Sequence, residues 1–270
     1  MTVPFIIMSA PNGARRGKTD HAALPVTPDE LAVCAAGVAD AGASILHLHV
    51  RDEHGRHTLD PDRYRAAISA IRDRVGDRLI IQVTTEACGM YTAAQQMDVI
   101  RELQPEAVSL ALKELCPDDA SKSDAAGFFA WANEHGILPQ YILYGIEDVQ
   151  RFTDLRQRGV IPDAWPFVLL VLGRYSDSMT GDPGLLASWV EGLQPDVAWM
   201  ACCFGPTESD AVGECARRNG HARVGFENNL ALPDGSIAPD NAALVQVAAT
   251  TAREAGRRVA DADDVRHMLA

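Results

Sequence analysis

The 270-residue sequence has few aromatic residues, and its cysteines form no ordered pattern. Aromatic residues make up 6% of the chain against 47% for the hydrophobic set, so the core must rest on Ala, Val, Leu and Ile. Such a composition suits parallel strands covered by helices. The six cysteines form no CxxC pair and no regular framework, and we interpret them as buried thiols in a reducing compartment.

The chain also has little positive charge and no long apolar run. It carries 24 Lys+Arg against 37 Asp+Glu, a formal net charge of −13. A surface this negative repels phosphate backbones and anionic lipid, so we expect neither a nucleic-acid nor a membrane partner. The apolar run at the amino terminus is too short for a signal peptide or a membrane span, so we expect a cytoplasmic protein.

Short apolar runs alternate with amphipathic stretches along the sequence. The strand-length runs, most of them apolar on both faces, lie at 3–9, 43–50, 79–83, 107–112, 138–143, 166–172, 196–201 and 222–226. Helix-start signals lie between them, as in 27–30, where Thr-Pro-Asp-Glu combines an N-cap, a proline and a capping box. This alternation is typical of an α/β fold, either a closed barrel or an open doubly wound sheet. No GxGxxG follows the first run, so we predict a single-domain TIM (β/α)8 barrel over residues 1–270.

The segment 44–52, SILHLHVRD, is the most informative part of the chain. Side chains alternate across a strand, so His47 and His49 project to the same face near the carboxyl end of the second predicted strand. Barrel enzymes place their catalytic groups at that end. Zinc favours imidazole nitrogen in catalytic sites, so the pair indicates a metal site. The alternative is two hydrogen-bonded histidines without a metal.

A third ligand is expected from the eighth apolar run. In 223–229, RVGFENN, the odd positions share a face, so Arg223 and Glu227 both point into the lumen and Gly225 leaves space for a ligand. Taken alone, Glu227 would be a solvated carboxylate. Beside the two imidazoles it completes the His2Glu set of catalytic zinc, and we therefore predict a divalent metal, zinc, at this end of the barrel.

These residues resemble a known family, the β-keto acid cleavage enzymes of the 3-keto-5-aminohexanoate cleavage type. The resemblance covers nearly the whole chain and rests on LPVTPDE at 24–30, AGAS at 41–44, HLHVRD at 47–52 and RVGFE at 223–227. It implies a TIM barrel, a homo-oligomer (dimer or tetramer) and a zinc ion held by His47, His49 and Glu227. The reaction it implies converts a β-keto acid and acetyl-CoA into acetoacetate and a new acyl-CoA.

The resemblance also implies roles for further residues. Arg223 belongs to a polar pair that assists proton removal and binds anionic groups, while Thr84 and Thr85 match a Ser-Thr pair that contacts the substrate carboxylate. Ser109 matches a serine on the fourth strand. The other interpretation of these hydroxyls is a bond to local backbone. We assign catalysis to Arg223, Asn228 and Thr84, and substrate binding to Thr85, Ser109 and Arg15.

Two departures from the family remove negative charge from the expected pocket. The family usually carries aspartate directly after the metal-binding glutamate, and here that position is Asn228, which cannot act as a base. The family also commonly places a glutamate at the end of the fifth strand, where 138–144 reads LPQYILY. We therefore expect a substrate without the amino group of 3-keto-5-aminohexanoate, or a different base such as Glu86 or Glu114.

The loop after the first strand contains a near match to a P-loop. Residues 12–19 read NGARRGKT, but the first glycine of the motif is replaced by asparagine, and no helix follows immediately to hold phosphate. We therefore reject an ATP site. Arg15, Arg16 and Lys18 form a basic patch that either meets coenzyme A phosphates or is solvated.

Other aromatic and histidine residues carry weaker interpretations. We expect four aromatic residues to line the pocket, namely Tyr141, Tyr144, Trp199 and Phe226. The remaining histidines, His57 and His221 among them, are interpreted as structural or exposed.

The leading functional hypothesis is thus an acetyl-CoA-dependent β-keto acid cleavage enzyme. One alternative is a metal-dependent aldolase, lyase or decarboxylase that acts on a keto acid without coenzyme A. A second is a non-catalytic barrel that binds a metal or a metabolite and has lost its base. Dependence of turnover on acetyl-CoA separates the first two, and binding without turnover identifies the third.

Overall fold

Eight parallel strands form a closed barrel in the computed structural model, which describes residues 3–269. The strands are β1 (Ile7–Ser9), β2 (Ile45–Leu48), β3 (Ile80–Thr84), β4 (Ala107–Ala111), β5 (Leu138–Leu143), β6 (Phe167–Leu172), β7 (Ala198–Cys203) and β8 (His221–Val224). Each strand pairs with the next one along the chain, and β1 closes the barrel against β8. The predicted TIM (β/α)8 barrel is therefore confirmed. Residues 1 and 270 lie outside the described residues, so the domain limits 1–270 stay a prediction.

Helices follow the strands and cover the outside of the barrel. Among residues 3–269 they are α1 (Pro28–Ala41), α2 (Pro61–Val75), α3 (Ala93–Leu103), α4 (Leu112–Leu115), α5 (Lys122–Glu134), α6 (Ile146–Gln157), α7 (Leu186–Glu191), α8 (Glu208–Arg217), α9 (Asn241–Glu254) and α10 (Ala262–Met268). The predicted capping box is present, since Thr27 accepts from the Glu30 backbone N–H and the Glu30 side chain accepts from Thr27. No helix among the described residues is long and apolar enough to cross a membrane.

The side chains of the barrel fall into two apolar sets. Leu46 and Leu48 on β2 pack outward against the helices, as the alternation of the strand predicted. Met8, Ile45 and Met200 belong to a second cluster of buried side chains, which Val265 of α10 joins. Because that cluster fills the lower part of the barrel, polar side chains have space only near the carboxyl ends of the strands.

Three of the four aromatic residues expected at the pocket lie elsewhere. Tyr141, Trp199 and Phe226 are buried in the outer cluster, so the prediction that they line the pocket is wrong. Tyr141 and Trp199 fall on the helix-facing positions of their strands, and both are large enough to fill the gap between sheet and helices. Only Tyr144, directly after β5, lies at the cavity described below.

A two-stranded hairpin stands on the carboxyl end of β2. Val50–Arg51 pairs antiparallel with His57–Thr58. From this hairpin the Arg51 guanidinium donates to the backbone oxygens of Ala14, at 3.1 Å, and Arg16, at 3.0 Å. A buried arginine that satisfies several carbonyl groups of a loop holds that loop in one shape. The hairpin therefore fixes the β1–α1 loop over the barrel mouth.

Candidate active site at the carboxyl end of the barrel

One strand and one turn bring the three predicted ligands together. His47 lies on β2 and His49 follows its last residue, so both imidazoles enter the lumen from one side. Glu227 comes from the other side but is not on β8, which ends at Val224. A turn carries it, in which the Glu227 N–H donates to Ala10 O at 3.0 Å. Glu227 thus lies beside the two histidines, although the strand alternation assumed for it stops three residues earlier, and its role as a ligand stays a prediction.

The spacing of the ligand atoms fits a metal ion. The distances are 3.1 Å from His47 Nε2 to His49 Nε2, 3.6 Å from His47 Nε2 to Glu227 Oε2 and 3.4 Å from His49 Nε2 to Glu227 Oε2. A tetrahedral ion bound at about 2.1 Å holds its ligands about 3.4 Å apart. Glu227 Oε2 is buried and has no hydrogen-bond partner in the described chain, a costly arrangement unless another group binds it. The three residues could therefore hold a divalent metal.

A chain of amide side chains fixes the orientation of His47. Gln82 Nε2 donates to Gln140 Oε1 at 3.1 Å, which leaves Gln82 Oε1 as an acceptor. His47 Nδ1 lies 2.8 Å from that oxygen and must therefore donate its proton to it. The lone pair of His47 is then on Nε2, the atom that faces His49 and Glu227. Such a partner behind a ligating histidine sets its tautomer and ring angle.

Burial keeps both imidazoles neutral. It lowers the pKa of His47 to about 4 and the pKa of His49 to about 3, and the charge of Glu227 only partly opposes this effect. Burial would raise the pKa of Glu227, but the neighbouring Arg223 and the two histidines outweigh burial and hold that pKa well below its usual value. At neutral pH the site thus presents two neutral imidazoles and one carboxylate, the protonation states that bind a metal.

Arg223 supports the carboxylate from β8. Its guanidinium is buried and donates to Glu227 Oε1 at 2.9 Å and to Cys202 Sγ at 3.3 Å. The salt bridge takes one carboxylate oxygen and leaves the other directed at the histidines. Arg223 therefore orients the oxygen of Glu227 that faces the histidines, as well as lining the cavity.

Gly225 does not have the expected role of leaving space for a ligand, and a second glycine, Gly13, contacts Glu227. A Cβ at Gly225 would lie 2.5 Å from Ala10 O, so this glycine allows β1 and the turn after β8 to approach closely and does not leave space for a ligand. At Gly13, with φ +60°, a Cβ would lie 2.5 Å from Glu227 Cγ. Gly13 is therefore the residue that makes room for the carboxylate.

Most of the predicted site residues share one cavity, which is open to solvent at its mouth. It is lined by His47, His49, Thr84, Thr85, Glu86, Ser109, Ala111, Ile142, Tyr144, Val171, Arg174, Phe204, Arg223 and Glu227. Seven of the nine predicted residues are in this set, and Arg15 lines an adjoining cavity that shares Glu86, Arg174 and Glu227 with it. Asn228 is the ninth.

Asn228 does not line either of these cavities among the described residues. Its side chain is fully buried behind Glu227, and neither its oxygen nor its nitrogen has a hydrogen-bond partner in residues 3–269. The backbone N–H donates to Gly225 O at 2.8 Å, which closes the turn that carries Glu227. The structure thus gives Asn228 a place in the turn, and its catalytic role stays a prediction.

The three hydroxyls at the ends of β3 and β4 are not equivalent. Thr85 donates its proton to Ser109 O on the neighbouring strand at 2.9 Å, which is a bond to backbone but not to local backbone. Thr84 Oγ1 accepts from the Glu86 N–H at 3.1 Å, so its own proton is not used in that bond. Ser109 Oγ is buried and has no partner within the described chain. Thr84 and Ser109 therefore have protons to offer a substrate carboxylate, whereas the proton of Thr85 is engaged.

Of the two carboxylates considered as a base, only Glu86 lines the cavity. Arg174 NH2 lies 3.7 Å and Arg15 NH2 4.0 Å from its Oε1. Glu114 accepts from the Ala87 N–H at 3.0 Å, and burial raises its pKa. Since a base must reach the proton that it removes, Glu86 is the better placed candidate.

The basic patch of the β1–α1 loop is divided between different contacts. Lys18 forms an ion pair with Glu30 at 2.7 Å, and Arg16 donates to Phe226 O. The side chain of Arg15 is 63% exposed at the adjoining cavity. Arg15 is therefore the member of the patch that is placed to meet a ligand at the mouth.

Besides the role of Gln82, the sequence did not indicate His57 or Arg174 as residues of the site. His57 is buried, with its ring centroid 5.3 Å from that of His49 and its Nε2 2.8 Å from Glu86 O, because the hairpin returns it to the barrel mouth. The Gly55 turn between Arg51 and His57 was the available signal. Arg174, in the loop after β6, reaches the cavity without any motif that marks it.

Comparisons with known proteins agree with this geometry. Residues 4–270 match the family model of the beta-keto acid cleavage enzyme. The chain is 30% identical to the 3-oxoadipate:acetyl-CoA acetyltransferase of Cupriavidus necator, covering 100% of this chain and 95% of that protein. It is 29% identical to the 3-keto-5-aminohexanoate cleavage enzyme of Fusobacterium nucleatum, covering 100% and 98%.

A solved structure shares the fold at lower identity. The apo structure of ObcA superposes with a TM-score of 0.75 at 18% identity and covers 91% of this chain. The chain spans only 65% of the length of ObcA, and the likeness bears on the barrel alone.

Proposed function

Because the chain belongs to the β-keto acid cleavage enzyme family, we propose that it transfers the acyl part of a β-keto acid to coenzyme A, with acetyl-CoA as co-substrate and acetoacetate as the second product. The family membership that the sequence motifs predicted is confirmed, and the family is enzymatic. The observation that carries the proposal is the set of three ligand atoms within 3.1–3.6 Å of one another, in a chain that matches the family over residues 4–270.

The metal of the proposal is zinc, held by His47, His49 and Glu227. When bound there, it supplies a Lewis acid for the keto oxygen of the substrate. The donor set of two neutral imidazoles and one carboxylate is the His2Glu set of catalytic zinc. Gln82 and Arg223 keep the donor atoms oriented, which is the part of the chemistry that the protein itself contributes.

In the proposed reaction one carbon–carbon bond and one carbon–sulfur bond form, and one bond of each kind breaks. The base removes a proton from C2 of the keto acid, C2 bonds to the acetyl carbonyl carbon, and coenzyme A leaves as the thiolate. The thiolate then attacks C3 of the original keto acid. The C2–C3 bond breaks with its electron pair on C2, which recovers a proton to give acetoacetate, and the acyl part leaves on coenzyme A.

The residues of the cavity take distinct parts in this sequence. Thr84 and Ser109 bind the carboxylate of the keto acid, since their hydroxyl protons are free to donate. Glu86 accepts the C2 proton and later returns it, in place of the aspartate that is absent at Asn228. Arg15 lies at the mouth, where it meets the coenzyme A portion of the co-substrate.

A panel of β-keto acids, incubated with metal-replete protein with and without acetyl-CoA, tests the proposal by mass spectrometry of the products. We expect acetoacetate and a new acyl-CoA that appear together and only with acetyl-CoA. His47→Ala should abolish both products, whereas His221→Asn, at a buried histidine outside the cavity, should retain them. Metal analysis of the purified protein should find about one zinc per chain, and less in His47→Ala.

A lyase or decarboxylase that uses the same metal site is the second candidate. The observation in its favour is Asn228, which cannot accept a proton. Cleavage of the keto acid without acetyl-CoA would move the assignment to this class. Binding of metal and keto acid without any product would indicate a non-catalytic barrel. The dimer or tetramer implied by the resemblance is measured by light scattering, and the expected cytoplasmic location by fractionation of the source cells.

A further inference from the structure

The loop after β6 holds one arginine against the cavity. Residues 173–181 (called the β6 loop below) leave the barrel at Gly173 and return at Gly181, and a Cβ at Gly173 would lie 2.3 Å from the Gly181 nitrogen. Ser176 Oγ donates within the loop, 3.0 Å from Gly173 O and from Thr180 O, and accepts from the Thr180 N–H at 3.0 Å. These contacts hold the two ends of the β6 loop together, and Arg174 directly follows Gly173 at its start.

The guanidinium of Arg174 has aromatic neighbours and few polar ones. It lies 5.5 Å from the ring centroid of Phe204 and 5.7 Å from that of Tyr175. Its side chain is 16% exposed, and the carboxylate of Glu86 lies 3.7 Å away, beyond hydrogen-bond length. Within residues 3–269 the structure gives Arg174 no hydrogen bond. Its five N–H donors are thus held at the cavity with an ion-pair contact to Glu86 but without a hydrogen-bond acceptor among residues 3–269, an arrangement that suits a bidentate anion.

Part of the lining that Arg174 shares is apolar. Four of the lining residues are apolar, namely Ala111, Ile142, Val171 and Phe204, and the Phe204 ring is the one next to the Arg174 guanidinium. A substrate tail that packs along this apolar wall would be hydrocarbon in its middle part and would carry an anionic group at the end that reaches Arg174. The described residues of this wall offer no carboxylate for a cationic tail apart from Glu86, which already faces two arginines.

Two other anions fit Arg174 less well. The phosphates of coenzyme A lie far from the thioester along the pantetheine arm, whereas Arg174 lines the cavity that contains His47 and His49. The C1 carboxylate of the keto acid already has the free hydroxyl protons of Thr84 and Ser109. A second carboxylate on the substrate remains as the anion that the cavity can accept at this place.

We propose that Arg174 is a specificity-determining residue that binds a carboxylate at the far end of the acyl tail, so that the substrate is a β-keto dicarboxylic acid. This inference rests on the proposed function for the identity of the keto acid. It adds the chemical class of the tail, which neither the metal site nor the family membership determines.

A matched pair of acids tests the proposal. 3-Oxoadipate and 3-oxohexanoate have the same six-carbon chain and differ in a terminal carboxylate against a methyl group. We expect kcat/KM to be higher for 3-oxoadipate in the unaltered protein. Arg174→Met should lower kcat/KM for 3-oxoadipate about 10- to 100-fold more than for 3-oxohexanoate, the range for a lost charge-assisted hydrogen bond, because any effect of the variant through Glu86 is common to both acids. Arg174→Lys should recover part of the loss, because the charge returns without the bidentate geometry.

Arg15→Met is the matched control, because Arg15 also lies near Glu86 but at the exposed mouth. The change in kcat/KM caused by Arg15→Met should be equal for the two acids and should depend on the acetyl-CoA concentration. An equal loss for both acids in Arg174→Met would overturn the proposal, because Arg174 would then act on the C1 carboxylate or through Glu86. A preference of the unaltered protein for 3-oxohexanoate would also overturn it.

Titration calorimetry without acetyl-CoA separates this inference from the proposed function. Tighter binding of 3-oxoadipate than of 3-oxohexanoate, lost in Arg174→Met, would uphold the carboxylate site even if no acyl-CoA forms with any acid. Acyl-CoA formation without such a difference in binding or turnover would uphold the reaction and refute the role of Arg174.

Discussion

Replacement of Gln82 by leucine removes the acceptor that orients His47 without touching any metal ligand. In the structure Gln82 is buried, and its Oε1 lies 2.8 Å from His47 Nδ1. Leucine fills a similar volume but cannot accept a hydrogen bond. The Nδ1–H of His47 would then be buried without a partner, and the imidazole could rotate or adopt the other tautomer.

The expected loss follows from the role of this bond. Removal of a partner that orients a ligating histidine typically weakens metal binding about 10- to 100-fold, which corresponds to about 1.4–2.7 kcal/mol. An unsatisfied buried N–H also costs about 1–3 kcal/mol of stability. We therefore expect Gln82→Leu to bind zinc about 10- to 100-fold more weakly and to unfold at lower urea concentration.

Competition with a chromophoric chelator measures the zinc affinity, and urea unfolding of the metal-free protein measures the stability. Gln96→Leu is the matched control, since Gln96 is an equally buried glutamine on α3 outside the cavity, and it should leave zinc affinity unchanged. Equal zinc affinity for Gln82→Leu and the unaltered protein would refute the argument that Gln82 sets the tautomer of a metal-binding His47.

Three further experiments test other parts of the structure. Gly13→Ala should weaken zinc binding and destabilise the fold by about 1–3 kcal/mol, because its Cβ would overlap Glu227 Cγ at a positive φ; chelator competition and urea unfolding measure both effects. Ser109→Ala should raise KM for the keto acid about tenfold, while Thr85→Ala should change KM less, since the Thr85 proton is already engaged; steady-state kinetics that find the two alike would contradict this. Burial lowers the pKa of His221 to about 3, whereas the pKa of an exposed histidine in the unfolded chain is about 6.5. As pH falls, the unfolded chain therefore takes up the proton first. The folding stability is lost as pH falls from about 6.5 towards 3. In His221→Asn the free energy of unfolding, measured with urea at a series of pH values, should fall less steeply with pH, by up to about 1.4 kcal/mol per pH unit. Equal pH dependence in the two proteins would contradict a lowered pKa of His221.

The fold could be predicted because its signals are local and repeated. Each barrel strand is an apolar run of a few residues, and the capping box at Thr27 is a contact within four residues. The pair His47 and His49 follows from strand alternation for the same reason. Closure of the barrel, by contrast, depends on β1 meeting β8 across more than 200 residues, and only the count of strands indicated it.

The parts of the site that were missed depend on contacts between distant segments. Gln82 reaches His47 because β2 and β3 are paired in register, and Arg174 reaches the cavity because the β6 loop closes on itself. Which face of β7 meets the lumen was not readable, since that strand is apolar on both faces, and Trp199 was misplaced. On β5 the one polar residue, Gln140, lies on the lumen face, so Tyr141 beside it faces the helices. Glu227 was found through an alternation that the turn at Gly225 interrupts, and the tertiary contact with Ala10 brings it back to the ligands.

The charges at the cavity connect the metal site with the inference about the substrate. Among the described lining residues Glu227 is paired with Arg223 and Glu86 with Arg174, and both imidazoles are neutral at neutral pH. The protein part of the cavity is therefore close to neutral, and a bound divalent ion leaves about two positive charges to be balanced in a partly buried space. A β-keto dicarboxylate brings two negative charges at two separated points, whereas a monocarboxylate would leave one positive charge uncompensated at a cost that burial increases. Under the proposed function an acidic chain would thus select a dianion, because the positive charge that the cavity leaves to be balanced would be that of the metal, while the negative charge of the surface lies elsewhere.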